Sequence, residues 1–171
     1  MKRLLVIIAG LVLASSMAGA QSYDWAAGLR AGIDGTGLTG KMNFGGGRTV
    51  EAMAVYGQYG YDRHSSRDGY YDDHVHPYNH ITFAAFYEWN APVIGDGFNL
   101  YYGLGGHVGG ASSCDDSALI VGADLILGLE YSLPTFPLAI SLDYRPFLDM
   151  VKLWRPCLRA YDIGIGVKYC F

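Results

Sequence analysis

Beyond its first few residues the sequence has no apolar run that could cross a membrane as a helix, which takes about 20 apolar residues. The one compact run, Leu4–Leu13, falls well short of that. Positive charge is scarce: 12 Lys and Arg stand against 16 Asp and Glu, a formal net charge of −4. That balance removes the electrostatic basis of nucleic-acid binding, which rests on Lys and Arg neutralising phosphates. Proline is sparse, at 6 residues, and proline cannot donate to a β-ladder. No cysteine follows the small residues Ala18-Gly19-Ala20, so no lipoprotein cleavage site is offered.

What is present begins with Met1-Lys2-Arg3, then the short apolar run, then the small-residue A-x-A site. This layout predicts a secretory signal peptide over 1–20 and a mature domain over 21–171. Loss of Lys2 and Arg3 with the leader deepens the charge from −4 to −6. The hydrophobic content, 51%, is spread over short alternating segments, and Gly (24) and Tyr (14) are abundant. Tyr161–Phe171 shows the pattern best. Tyr161, Ile163, Ile165, Val167, Tyr169 and Phe171 form one alternate set; Asp162, Gly164, Gly166, Lys168 and Cys170 form the other. Successive strand side chains point to opposite faces, so one face is apolar and the other small or charged. Large apolar groups toward lipid, small and polar groups toward a lumen and aromatics at the boundary are the pattern of a transmembrane β-barrel.

The same alternation predicts strands over Tyr23–Ile33, Leu38–Phe44, Thr49–Tyr61, Ile81–Trp89, Phe98–Val108, Ala118–Tyr131, Leu138–Phe147 and Tyr161–Phe171. Asp34-Gly35-Thr36-Gly37, Gly45-Gly46-Gly47-Arg48, Ala91–Gly97 and the segment between Pro134 and Pro137 read as turns. Asp62–His80, Gly109–Ser117 and Met150–Arg159 read as loops. The expected fold is all-β: an eight-stranded antiparallel transmembrane β-barrel with up-and-down meander order. An even strand number puts both ends on the periplasmic side and the longest loop outside.

Several segments together resemble a known family. They are Thr49-Val50-Glu51-Ala52, Phe86-Tyr87-Glu88, Leu100–Gly109 (LYYGLGGHVG), Leu127-Gly128-Leu129-Glu130-Tyr131, Leu142-Asp143-Tyr144-Arg145-Pro146 and the Tyr169-Cys170-Phe171 ending. They look like the small outer-membrane β-barrel proteins of the Bacteroidetes type, within the wider OmpA/OmpX-like and porin-like group. The resemblance implies an eight-stranded barrel in the cell outer membrane and no established catalytic residues. The ending is also similar to the signal read by the barrel-assembly machinery, with Phe171, Tyr169 and Gly166 in matching places. Gly164 stands where such signals usually carry a polar residue.

The predicted inward faces carry Arg30, Lys41, Glu51, Glu88, Asp124, Glu130, Asp143, Arg145 and Lys168. An eight-stranded barrel is just wide enough inside for side chains to fill it. Charges there must be paired or wet, since unpaired burial is costly. They read as a salt-bridged plug; a continuous pore would need a gap between the pairs. Asp72, Asp73, His74, His76 and His80 form a metal-like cluster by residue type, with a solvated His-rich loop as the plainer alternative; no cofactor is expected. His64-Ser65-Ser66 offers a nucleophile and base in a loop with no third group, so no enzyme is expected. Cys114 and Cys157, in loops of an exported protein, are candidates for a disulfide, with free thiols as the alternative. Cys170 lies inward near the periplasmic end.

The function expected is a non-enzymatic, monomeric outer-membrane barrel. Its role is structural or a surface interaction through the extracellular loops. Its partners are outer-membrane lipid, the assembly machinery and an unidentified surface partner. Two rivals stand beside it: a narrow porin for small solutes, and a soluble lipocalin-like barrel binding a small ligand, which would bury its apolar faces.

Overall fold

A computed structural model describes residues 23–61, 76–93, 97–112, 117–151, 155–159 and 162–171. The leader, the 62–75 segment and Cys114 lie outside the described residues. None of the described residues is helical. Ten strand segments follow in order: β1 Trp25–Gly32, β2 Thr36–Asn43, β3 Arg48–Tyr61, β4 His76–Pro92, β5 Phe98–Ser112, β6 Ser117–Ser132, β7 Leu138–Tyr144, β8 Phe147–Val151, β9 Arg155–Arg159 and β10 Ile163–Cys170.

Every pairing is antiparallel between neighbours, and the ring closes through β1 with β10 and through β5 with β6. β7 and β8 are successive halves of one strand: β6 pairs with β7 over Leu127–Ser132 and with β8 over Ile120–Asp124. β9 lies beside β8, and β10 beside β7, so they are two parts of the last strand. The result is a closed eight-stranded barrel in meander order. Closure matters because it leaves no open sheet edge within the paired wall.

The break between β7 and β8 falls at Arg145-Pro146, because Pro146 has no N–H to give. The wall holds across it. Leu125 N donates to Pro146 O at 3.0 Å, and Arg145 N donates to Asp162 O at 2.7 Å. The expected loop over Met150–Arg159 is corrected at both ends: strand pairing resumes after Pro146 as far as Val151, and Arg155–Arg159 form β9 with Cys157 opposite Asp149, while 152–154 lie outside the described residues. β8 stands between β9 and β6. The expected loop at Asp62–His80 likewise ends early, since His76–His80 belong to β4. Strands β5 and β6 also run further toward their shared tip than alternation alone indicated.

Burial alternates strictly along β7 and β10. Outward residues include Leu29 (65% exposed), Leu104 (55%), Leu125 (58%) and Ile165 (58%). The buried set is instead rich in Asp, Glu, Lys, Arg, His and Asn. That is the reverse of a water-soluble barrel, where burial of apolar groups drives folding. Aromatics gather at the end with the short turns: Trp89 stacks on Tyr102 at 5.8 Å, Phe98 on Tyr131 at 4.3 Å, and Tyr169 lies 6.1 Å from Phe171. Toward the opposite, loop end, the outer face of β3 and β4 turns polar, where Gln58 Nε2 donates to Asn79 Oδ1 at 2.8 Å.

Alternation fails at one place near the start. Alternation along Tyr23–Ile33 puts Tyr23 outward with Leu29 and Asp24 inward with Arg30; Asp24 forms a bend instead, Tyr23 is buried and Asp24 exposed.

Candidate functional site

The lumen is filled in tiers. At the turn end lies the first group. Lys41 on β2 places Nζ 2.9 Å from Glu88, 3.4 Å from Glu130 and 3.5 Å from Glu51. Lys168 on β10 reaches Glu51 at 3.0 Å and Glu130 at 3.2 Å. Neutral donors complete the shell: Tyr23 Oη donates to Glu130 at 2.5 Å, Thr49 Oγ1 to Glu88 at 3.0 Å and Thr39 Oγ1 to Glu51. Five charges from five strands thus meet at one level. Each would cost several kcal/mol if buried alone.

Above this group comes an apolar layer of Met53, Val55, Ala84, Phe86, Tyr101 and Ile126. Inward residues on β4 run Asn90, Glu88, Phe86, Ala84, Thr82, His80; on β6 they run Ser132, Glu130, Gly128, Ile126, Asp124. Both pass from charged through apolar to polar again. The Lys41 ammonium caps the layer, 4.0 Å from the centre of the Tyr101 ring.

Toward the loop end lies a second ionic group. Arg30 Nη2 contacts Asp143 at 2.5 Å and Asp162 at 3.0 Å. Arg145 reaches Asp34 at 2.8 Å and Asp162 at 3.1 Å. The His80 ring lies 3.6 Å from Asp34. Beside them His107 on β5 lies between two carboxylates, with Nδ1 2.6 Å from Asp124 on β6 and Nε2 3.0 Å from Asp149 on β8.

All nine charges read from the sequence are buried, and they divide among these clusters. Asp34, Asp149 and Tyr23 joined the clusters without being anticipated. In the sequence Asp34 belongs to a turn, Asp149 falls between the strand ending at Phe147 and the loop starting at Met150, and alternation along Tyr23–Ile33 puts Tyr23 outward. Alternation along Phe98–Val108 and Tyr161–Phe171 puts His107 and Asp162 inward as well, but gives no partners for them. Only the alternation beyond Pro146 could have signalled Asp149.

Of the five residues of the metal-like cluster, two lie within the described residues. His80 is a wall residue facing Asp34, and His76 lies on β4. Asp72, Asp73 and His74 fall outside the described residues. No group of three metal-ligating side chains converges among the described residues. Cys170 is a half-buried free thiol packed beside Tyr23, Ala26 and Ala139. An open hollow of about 440 Å³ beside it is lined by Tyr23, Ser132, Phe136 and Phe171.

A closed wall with an apolar exterior and a layered, ion-paired interior defines a small transmembrane β-barrel. Among solved structures it is similar to that of Ail, the attachment invasion locus protein of Yersinia pestis. The TM-score is 0.48 at 16% identity, over 86% of this chain and 96% of that one. It is likewise similar to Neisserial surface protein A, with a TM-score of 0.48 at 12% identity, over 86% of this chain and 94% of that one. No family model and no curated protein matches the sequence.

Proposed function

We propose that this chain is a plugged, non-enzymatic outer-membrane barrel that works through its loop end, as a surface-interaction module. The observation that carries the reading is the inverted polarity: an aliphatic exterior around ion pairs that leave the interior filled. A lipid-facing wall needs that exterior. A soluble ligand-binding barrel would need the reverse, so the lipocalin-like reading loses its support. A porin needs a continuous wet path, and the Met53–Phe86–Tyr101–Ile126 layer lies across the lumen between the ionic groups. With the turns on the periplasmic side, the surface left to meet other molecules is the loop end. The leader, and the resemblance of Gly166, Tyr169 and Phe171 to an assembly signal, support export and insertion by the assembly machinery.

The test combines fractionation with conductance. Expressed with its leader in a Gram-negative host, the protein should sediment with outer-membrane markers. Reconstituted into planar bilayers, it should give no stepwise current. Recovery in the soluble periplasm would overturn the membrane reading, and stable ion-conducting steps would restore the porin.

A further inference from the structure

Arg30, Lys41, Arg145 and Lys168 are buried in the lumen and ion-paired there. Arg48, at the start of β3, differs from them. It is exposed, and no carboxylate pairs with it among the described residues. The exposed Asp24 stands on the far side of β2, where its carbonyl accepts from Asn43 N at 2.8 Å.

The surroundings of Arg48 are aromatic. Arg48 stands opposite Trp89 in the β3–β4 ladder, and residues in register share a face. Thr49 beside it is fully buried, so Arg48 faces outward. On the β2 side, Phe44 N donates to Arg48 O at 2.9 Å, and Phe44 is exposed. Trp89 in turn meets Tyr87 at 5.0 Å and Tyr102 at 5.8 Å. One cation is thus set in a run of outward aromatics, at the depth where the aromatic belt of a barrel meets lipid headgroups.

The turn that carries it is pinned. Gly45, Gly46 and Gly47 have φ of 78°, 63° and 71°, a left-handed run that suits glycine. Gly45 N donates to Asn43 Oδ1 at 2.9 Å, and Asn90 N donates to Gly47 O at 2.7 Å. The Arg48 guanidinium lies back over this turn: a Cβ on Gly46 would be 3.5 Å from its Nη2. It therefore sits on the water side of the aromatics, level with headgroups rather than acyl chains. In a chain of formal charge −4 this is a single placed cation, not part of a basic surface.

We propose that Arg48, flanked by Phe44 and Trp89, binds the phosphate of an anionic glycerophospholipid in the periplasmic leaflet. A guanidinium matches phosphate oxygens with a fork of donors. The acyl chains then run along outward residues of β4 such as Tyr87 and Phe83. A zwitterionic headgroup brings its own ammonium to the phosphate and competes with Arg48; an anionic one does not. The proposal rests on the membrane reading above and adds a ligand class at a named site.

The test places the full chain in phosphatidylcholine nanodiscs containing a minor fraction of phosphatidylglycerol with brominated acyl chains. Trp25→Phe and Trp154→Phe leave Trp89 as the one tryptophan of the original 3. Bromine quenching of Trp89 then reports which lipid lies beside Arg48. It should exceed the level expected from random mixing by about two- to fivefold, the range of an exposed ion pair. Brominated phosphatidylcholine at the same fraction should quench at the random level. Arg48→Gln should remove the excess, and Arg48→Lys should keep part of it. An excess that survives Arg48→Gln overturns the arginine site in favour of the aromatic belt alone. Equal excess for both lipids overturns the headgroup preference. Inorganic phosphate, compared with chloride at equal ionic strength, should leave the excess in place; its loss assigns the site to a soluble anion and overturns the lipid. A chain that enters discs with no excess overturns this site and leaves the membrane reading intact. Failure to enter discs overturns both.

Discussion

Tyr101 lies directly across from Gly128 in the β5–β6 ladder, and its ring occupies the space a side chain at 128 would need. A Cβ on Gly128 would sit 2.7 Å from Tyr101 Cε1. The fully buried Tyr101 ring is one of the largest groups in the apolar layer. It fits because the inward position opposite it on β6 is Gly128, while Gly103 and Gly105 on β5 leave room in the same way for the Glu88 and Phe86 side chains. The glycine content of this chain thus serves the interior: it makes room for long side chains in a narrow barrel.

Gly128→Ala should therefore destabilise the barrel by about 1–3 kcal/mol, the usual cost of overpacking. A second substitution, Tyr101→Phe, should not relieve it, because the ring atoms themselves collide. Tyr101→Leu should relieve part of it. Urea titration of refolding into lipid vesicles checks the order of the three variants.

The exterior should show depth dependence. Leu125→Arg, at an outward position that is 58% exposed, should cost about 2–4 kcal/mol in bilayers if it lies near the midplane. Gln58→Arg faces the same way but lies beyond the apolar band, and should stay within about 0.5 kcal/mol of the parent. Equal costs in lipid-refolding titrations would contradict the placement of Gln58 beyond the apolar band.

The strand faces were legible in the sequence because a period of two leaves little freedom: once Ile165 faces out, Lys168 must face in. That logic reached nine of the buried lumen charges, from Arg30 on β1 to Lys168 on β10. It failed where the backbone departs from a plain strand. Tyr23 turns inward because the bend at Asp24 breaks the alternation. Asp149 was lost because Pro146 looks like a terminator, although its carbonyl still accepts from Leu125. Asp34 sits in a turn, where alternation gives no direction. Pairings were less legible than faces, because Tyr23 meets Glu130, and Lys41 on β2 meets Glu130 on β6, across the lumen rather than along a ladder.

His107 ties three strands through two carboxylates. His107→Phe keeps much of the volume but leaves Asp124 and Asp149 buried without their shared partner. The loss should be about 3–5 kcal/mol, as for breaking a buried pair. Converting both partners as well, His107→Phe with Asp124→Asn and Asp149→Asn, should recover part of it. If the single substitution is neutral by vesicle refolding, the upper lumen is wet enough to solvate both carboxylates.

The turn-end cluster allows the sharpest separation of pairing from burial. Glu130 takes contacts from Lys41, Lys168 and Tyr23 at once. Glu130→Gln keeps the shape but removes one of the three carboxylates that offset two ammonium groups. It should cost about 3–5 kcal/mol, because the lysines remain buried with less compensation. Lys168→Met alone should also destabilise, since Glu51 and Glu130 then share only Lys41. The double variant removes one charge of each sign and keeps the volume. A buried pair replaced by neutral groups of similar size is often neutral to stability, so the double variant should lie well above the sum of the singles. A double-mutant cycle on vesicle refolding reads the coupling directly. Additive losses would mean that the two side chains act independently, with water between them, and the plug would then be a set of solvated charges rather than a paired cluster.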